Sequence, residues 1–170
     1  MTAVWTPPRT WNVGELVTAG LLNTHLRDNL EFLKAQIDLP ISFAAAASAT
    51  QYSTASATYG DVDGTNLVLN LTTRGGIVLL GLSTLAKHNT AAGEARLDWH
   101  IDGARVGDAT FGISLLQVPA TNLYIPISHI HARALSAGAH TIKLQFATGS
   151  GTLIVGGAAG GTFLWALELV

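Results

Sequence analysis

The sequence contains no cysteine, which excludes a disulfide framework, a thiolate metal site and a cysteine nucleophile. It is also short of charge. Asp, Glu, Lys and Arg make up 12% of its 170 residues, against roughly 25% in an average soluble domain. Nine Lys and Arg residues, scattered without a run, face eleven Asp and Glu, for a formal net charge of -2. No nucleic-acid partner is expected, because neutralising phosphates takes a concentrated basic patch. Long hydrophobic runs are missing too. The longest apolar stretches, Ile41 to Ala47 and Ile77 to Leu82, are strand-sized and far below the ~20 residues that span a bilayer, so no membrane partner is expected. The opening MTAVWTPPRTW has neither a basic start nor an apolar centre and does not read as a secretory signal. A soluble chain with so few charges must build its exterior from Thr, Ser, Asn and Gly or bury much of it against other chains. The second option predicts an obligate oligomer.

Three regions separate by composition. Residues 1–17 carry two of the four tryptophans and the Pro7-Pro8 pair, which blocks helix and favours extended backbone. Trp5, Trp11 and Val13 read as anchors on an extended arm, either for another protein or folded back on their own domain. Residues 18–38 predict the one helix. Thr18 is a suitable N-cap, and Leu22, Leu26, Leu30, Leu33 and Ile37 recur at spacings of four, four, three and four. From Leu26 onward this is a short heptad stripe suited to helix packing or a trimeric coiled coil. Asn29 lies beside the stripe, where a buried amide would specify register, and Glu31 with Lys34 is a candidate surface pair. Pro40 ends the helix, so the expected division is 1–40, attachment arm and helix, and 41–170, a β domain.

Residues 41–170 read as strands. Ala95, Leu97, Trp99 and Ile101 alternate onto one face, as do Ile142, Leu144 and Phe146, and as do Phe163, Trp165, Leu167 and Leu169. Each set is expected to be a covered face, with Trp99 and Trp165 packed in the core. Gly75 to Leu85 is apolar on both faces, which in an antiparallel sandwich points to a strand that also meets a neighbouring subunit. Turn signals at Asp63-Gly64, Asp102-Gly103, Ala137-Gly138, Gly149 to Gly151 and Gly156 to Gly161 separate these runs. The fold class expected is mainly β: an antiparallel β-sandwich of jelly-roll type, preceded by an extended arm and one α-helix.

The segment Trp5 to Leu30 carries the pattern R-T-W-x-x-G-E-x-V-T-A-x-x-L-N-x-H-x-R-D-N-L. It resembles the segment that opens many small structural proteins of tailed phages and prophages. That resemblance covers the first fifth of the chain and implies placement in a virion, with other virion proteins of capsid or tail as partners. The tail of the sequence, Ala134 to Phe146 followed by a Gly-rich loop and Thr162 to Val170, is similar to the last strands of trimeric jelly rolls. These domains occur in tumour-necrosis-factor-like ligands, complement globular heads and phage fibre tips. The second resemblance implies a homotrimer and says little about ligand.

Catalytic motifs are absent. There is no G-x-S-x-G, H-E-x-x-H or G-x-x-x-x-G-K-[ST], and the Gly156 to Gly161 loop leads into a strand, so it offers phosphate no helix N-terminus. No enzyme activity and no cofactor are expected. His129-Ile-His131 would point two imidazoles to one side of a strand, and three copies about an axis would offer six nitrogens to a metal; two histidines on a partly exposed strand are the plainer account. Asp98, His100 and Asp102 read as the solvated side of a strand. Asn70-Leu-Thr72 matches a glycosylation sequon, incidental without a secretory signal. Tyr52, Tyr59 and Tyr124 are candidates for a glycan surface. Two uses follow for a homotrimeric virion protein: a capsid decoration protein, or a tail-fibre or tail-tip module binding a host-surface glycan or receptor. The scarcity of aromatics and carboxylates in the loops favours decoration.

Overall fold

The computed structural model describes residues 4–37, 42–157 and 160–169, the side chains of residues 35–37 excepted. The chain divides into two compact units, Met1–Pro40 and Ile41–Val170.

In the first unit the helix begins where the Thr18 cap places it. The Thr18 Oγ1 accepts the Leu21 N–H at 3.3 Å, satisfying one of the donors a helix start leaves open. It runs as α1 (Ala19–Leu22), a π-helical turn (Asn23–Arg27) and α2 (Asp28–Ile37). The leucine spacing gives no sign of the π turn, because a four-residue step suits either winding. Pro40 and the side chain of Ile37 lie outside the described residues.

The second unit is antiparallel throughout. Its strands are β1 (Phe43–Ser48), β2 (Gln51–Thr54), β3 (Gly60–Asp61), β4 (Val68–His88), β5 (Gly93–Ile101), β6 (Ala104–Arg105), β7 (Ser114–Val118), β8 (Ile125–Ala147), β9 (Leu153–Gly156) and β10 (Thr162–Leu169). The hydrogen-bonded order is β1-β10-β4-β8-β5-β6, with β7 on β5, β3 on β8, and β9 between β2 and β4. The fold is the β-sandwich of jelly-roll class that the alternating segments imply.

A single long ribbon joins the two layers. β4 and β8 pair from Val68↔Lys143 to Ala86↔Ile125. Along β4 the buried positions are Leu69, Leu71 and Thr73, and then Val78, Leu80, Leu82, Thr84 and Ala86. The parity of the buried face changes at Gly75, and β8 changes in the same place, from Ile127 to His140, Ile142, Leu144 and Phe146. Gly75 has φ +95° and Gly138 φ +139°, conformations that only glycine adopts without strain. These two residues reset the pleat and bend the ribbon. Ala137-Gly138, expected to be a turn between strands, is therefore a bend inside one continuous strand: the same positive φ that a turn uses serves here to redirect the chain.

The faces Ala95, Leu97, Trp99, Ile101 and Ile142, Leu144, Phe146 are buried as expected and share one core with Leu69, Leu80, Leu82 and Leu164. Two other expectations fail. β10 turns Thr162, Leu164, Ala166 and Glu168 inward and holds Phe163, Trp165, Leu167 and Leu169 outward. The register decides this, since Leu164 sits opposite Leu82 and Ala166 opposite Leu80, the buried positions of β4. Asp98 is not solvated either. It is fully buried, accepting Arg105 Nε and the Gly107 N–H at 2.8 and 2.9 Å, because the chain after β6 folds over that side of β5.

Replacing Gly75 with Ala forces a side chain into a left-handed conformation and sets its Cβ 3.2 Å from the Ala137 nitrogen. The expected loss is about 1–2 kcal/mol, read as a lower denaturation midpoint. Gly60→Ala, with nothing within 4 Å of the new Cβ, is the control and should leave the midpoint almost unmoved.

Candidate functional site

The inward turn of Leu164 and Ala166 leaves an apolar surface on the other side of the sheet. Register places Trp165 opposite Gly81, Leu167 opposite Leu79 and Leu169 opposite Ile77. β1 adds Phe43, Ala45 and Ala47, opposite Leu167, Trp165 and Phe163. On the far side of β4, β8 adds Ala134, Ala132 and Ile130, opposite Ile77, Leu79 and Gly81. Phe43 is 58% exposed, Ile130 63% and Phe163 43%. The Trp165 indole covers Gly81, where any Cβ would come within 1.9 Å of the ring. This face crosses four strands, and among these positions there is no ionisable side chain. Contiguous apolar patches beyond a few hundred Å² mark interaction surfaces. The two-sided Gly75 to Leu85 strand lies at its centre, while the bulkiest contributors come from the β10 face that sequence reasoning had placed in the core.

The first unit is an arm–helix hairpin, and the residues of its long motif are largely consumed in building it. Asn29, the one buried side chain among the unit's described residues, pairs with both backbone groups of Thr6, each at 2.9 Å, and donates to the His25 carbonyl at 3.3 Å. Its amide therefore locks the arm to the helix. Trp5 packs on Phe32 at 5.9 Å and Trp11 edge-on against His25 at 6.1 Å, with the Arg9 guanidinium 4.6 Å from the Trp11 ring. Arg9 also pairs with Glu15, whose carboxylate accepts the Asn12 N–H across the turn at Gly14. What the hairpin does not consume stands outward. Val13 is fully exposed, and Leu22, Leu26, Leu30 and Leu33 are each two-fifths exposed or more. Leu26, Leu30 and Leu33 form one wall, and Trp5, Pro8 and Trp11 the other, of an apolar groove of about 300 Å³.

His129 and His131 lie side by side, ring centroids 6.3 Å apart and nearly parallel. They sit opposite Leu82 and Leu80 and so share the inward side, away from the apolar face. The Nε2 of each is buried without a hydrogen-bond partner among the described residues. Burial, with His129 and Arg133 nearby, holds His131 below its ordinary pKa, which favours the neutral ring. Among the described residues no three His, Asp or Glu side chains converge on a point that could hold a metal, so a complete ligand set would need groups from another chain. This part of β8 pairs with β4 alone, and inward-pointing polar residues on such an edge discourage unwanted strand pairing. The tyrosines are engaged internally: Tyr52 donates to Asp63 at 2.7 Å, Tyr59 lies under Arg105 with 3.6 Å from guanidinium carbon to ring centre, and Tyr124 carries Lys87 over its ring. Among the described residues no helix is long and apolar enough to cross a membrane.

His140 is a polar tie that the sequence did not announce. Its Nδ1 contacts Asp102 Oδ2 at 2.6 Å and its Nε2 the Ser136 carbonyl at 2.9 Å. Both partners accept, so the ring donates from both nitrogens as imidazolium. The Asp102 bond, then the Ser136 carbonyl, raise its pKa above the ordinary histidine value; Glu168 on β10 adds to this. Asp102 is lowered by His140 and by the Thr141 N–H.

No protein-family model matches the sequence, and no curated protein is similar enough to count as a relative. Solved structures of similar outline include murine APRIL at pH 5.0, with 14% identity, 76% of this chain and 100% of that chain covered, and a TM-score of 0.48. The infectious bursal virus T=1 particle protein matches at 15% identity, 77% and 36% coverage and TM-score 0.46. The PRD1 vertex protein P5 matches at 11% identity, 76% and 97% coverage and TM-score 0.45. At such identities and TM-scores these likenesses assign neither family nor function.

Two outcomes are expected. Asn29→Ala leaves both Thr6 backbone groups unpaired, a cost of about 1–2 kcal/mol, so trypsin should cut after Arg9 roughly tenfold faster; an unchanged rate would show that the arm is held by other means. A raised histidine pKa stabilises fully below the unfolded value of ~6.5 and loses that contribution as pH rises through the folded value. The lowered Asp102 acts oppositely, its contribution lost only as pH falls through its own folded value. The urea midpoint should therefore fall from about pH 6 toward pH 9, and His140→Gln should flatten that slope; a mutant with the wild-type slope would contradict the assignment.

Proposed function

We propose that the chain is a non-enzymatic structural protein of a phage virion, a homotrimer docked on the particle by its arm–helix hairpin, with the β domain projecting outward as a capsid decoration protein. The observation that carries the reading is the uncharged apolar face across β1, β10, β4 and β8. Three copies packed through that face would remove apolar area worth about 25 cal/mol per Å², and burial of roughly 800 Å² per partner is the scale of a stable interface. It also accounts for the low charge of the whole chain: surface that faces another copy needs no charges. Support for the particle comes from the N-terminal pattern and from what the hairpin displays. Trp5, Trp11 and Val13 with the leucine stripe offer an apolar surface too small to form a core of its own, which suits a segment that completes itself on another protein. The loops of the β domain, with their tyrosines held internally, favour decoration over receptor capture.

Sedimentation of the full chain should give a trimer. Phe163→Glu with Trp165→Glu places two charges in the face and should yield a folded monomer, whereas a trimer that survives both charges would move the interface elsewhere. Removing residues 1–38 should leave a folded β trimer that no longer joins particles. A C-terminal label on intact particles should spread over the head; label confined to the tail would replace decoration with a fibre or tip role.

A further inference from the structure

A second, more polar site borders the apolar face and shares Ala134 with it, where the ribbon bend meets the β5–β6 hairpin. A cleft of about 190 Å³ opens there, walled by Ala134 to Ser136 of β8 on one side and Ala104 to Val106 on the other, with Arg133, Asp102 and His140 at its rim. Its cations differ in availability. Arg105 is fully committed, to Asp98, to the Ala109 and Asp108 carbonyls and to the Tyr59 ring. His140 spends both protons on Asp102 and Ser136. Arg133 has no hydrogen-bond or ion-pair partner among the described residues. Asp98 is buried beneath its arginine, and Glu168 on β10 lies close enough to His140 to raise its pKa. Arg133 is therefore the cation of the cleft whose donors remain open.

We propose that this cleft binds one acidic monosaccharide unit of the uronic-acid kind, with its carboxylate on Arg133. A planar guanidinium with open donors matches a carboxylate in bidentate fashion. Asp102 is fixed by its bonds to His140 and the Thr141 N–H at 2.8 Å, and each of its oxygens keeps a lone pair for a sugar hydroxyl. Ala134, Leu135 and Val106 supply aliphatic surface for the C–H face of a ring. An anion alone would leave Asp102 repelling it, and a neutral sugar would leave Arg133 unpaired. A ligand carrying both a carboxylate and hydroxyls satisfies the two. The site does not depend on how the protein joins a particle.

Titration of the full-length protein, followed by NMR, tests this with sodium glucuronate, methyl glucoside, acetate and inorganic phosphate as separate probes. Glucuronate should give saturable shifts in residues 101–106 and 133–140, and the other three should bind at least about tenfold more weakly, the loss of one charge-assisted contact. Arg133→Gln should weaken glucuronate by the same factor. Ala104→Trp, at an exposed position of β6, should block the cleft without touching any charge. Absence of saturation, equal binding of acetate or phosphate, or glucuronate binding unchanged in both variants would each overturn the proposal.

Discussion

The pairing of β4 with β8 is the constraint on which the β unit rests. One ladder runs from Val68↔Lys143 to Ala86↔Ile125, and every other strand of the sandwich attaches to this ribbon or to a strand that does. A regular ribbon of that length would keep one parity buried throughout. Because Gly75 and Gly138 sit at positive φ, the parity changes midway, and one ribbon supplies inward leucines to both layers of a single core. The bend also creates the cleft beside the β5–β6 hairpin. His140 then ties the bend to that hairpin through the Ser136 carbonyl and Asp102.

The apolar outer face follows from the same ladder. Once Leu80 and Leu82 face the core, β10 must present Leu164 and Ala166 to it, because directly opposed residues on paired strands share a face. Phe163, Trp165, Leu167 and Leu169 then have only the outside left. Hydrophobicity alone favours the opposite choice, since the outward set is the bulkier one. Alternation says which residues stand together and not which side the second layer covers. The failure at β10 is therefore informative: alternation picks out the two sets of residues, and the register on β4 decides which set is buried.

The amino-terminal hairpin is a case where local chemistry was legible. The Thr18 cap is a short-range feature, and it is where the sequence places it. The role of Asn29 was readable only in part. A polar residue beside an apolar stripe signals a specific partner, yet nothing in the spacing says that this partner is the backbone of Thr6, twenty-three positions earlier. Most of the long motif encodes the hairpin itself, which leaves Val13 and the exposed leucines to meet whatever the hairpin meets.

By itself, the sequence determined the class of fold, the position and cap of the helix, the two strand faces led by Trp99 and Leu144, and the scarcity of charge. These follow from periodicity, capping and composition, which act over a few residues or over the whole. The tertiary structure alone decided that Ala137-Gly138 bends a strand instead of ending it, that β10 faces outward, that Asp98 is buried under Arg105, and that Arg133 stands open beside a His–Asp pair. Each of these depends on which distant segment lies across the ladder. A residue's surroundings at long range are set by register and bend, and neither is encoded in its near neighbours.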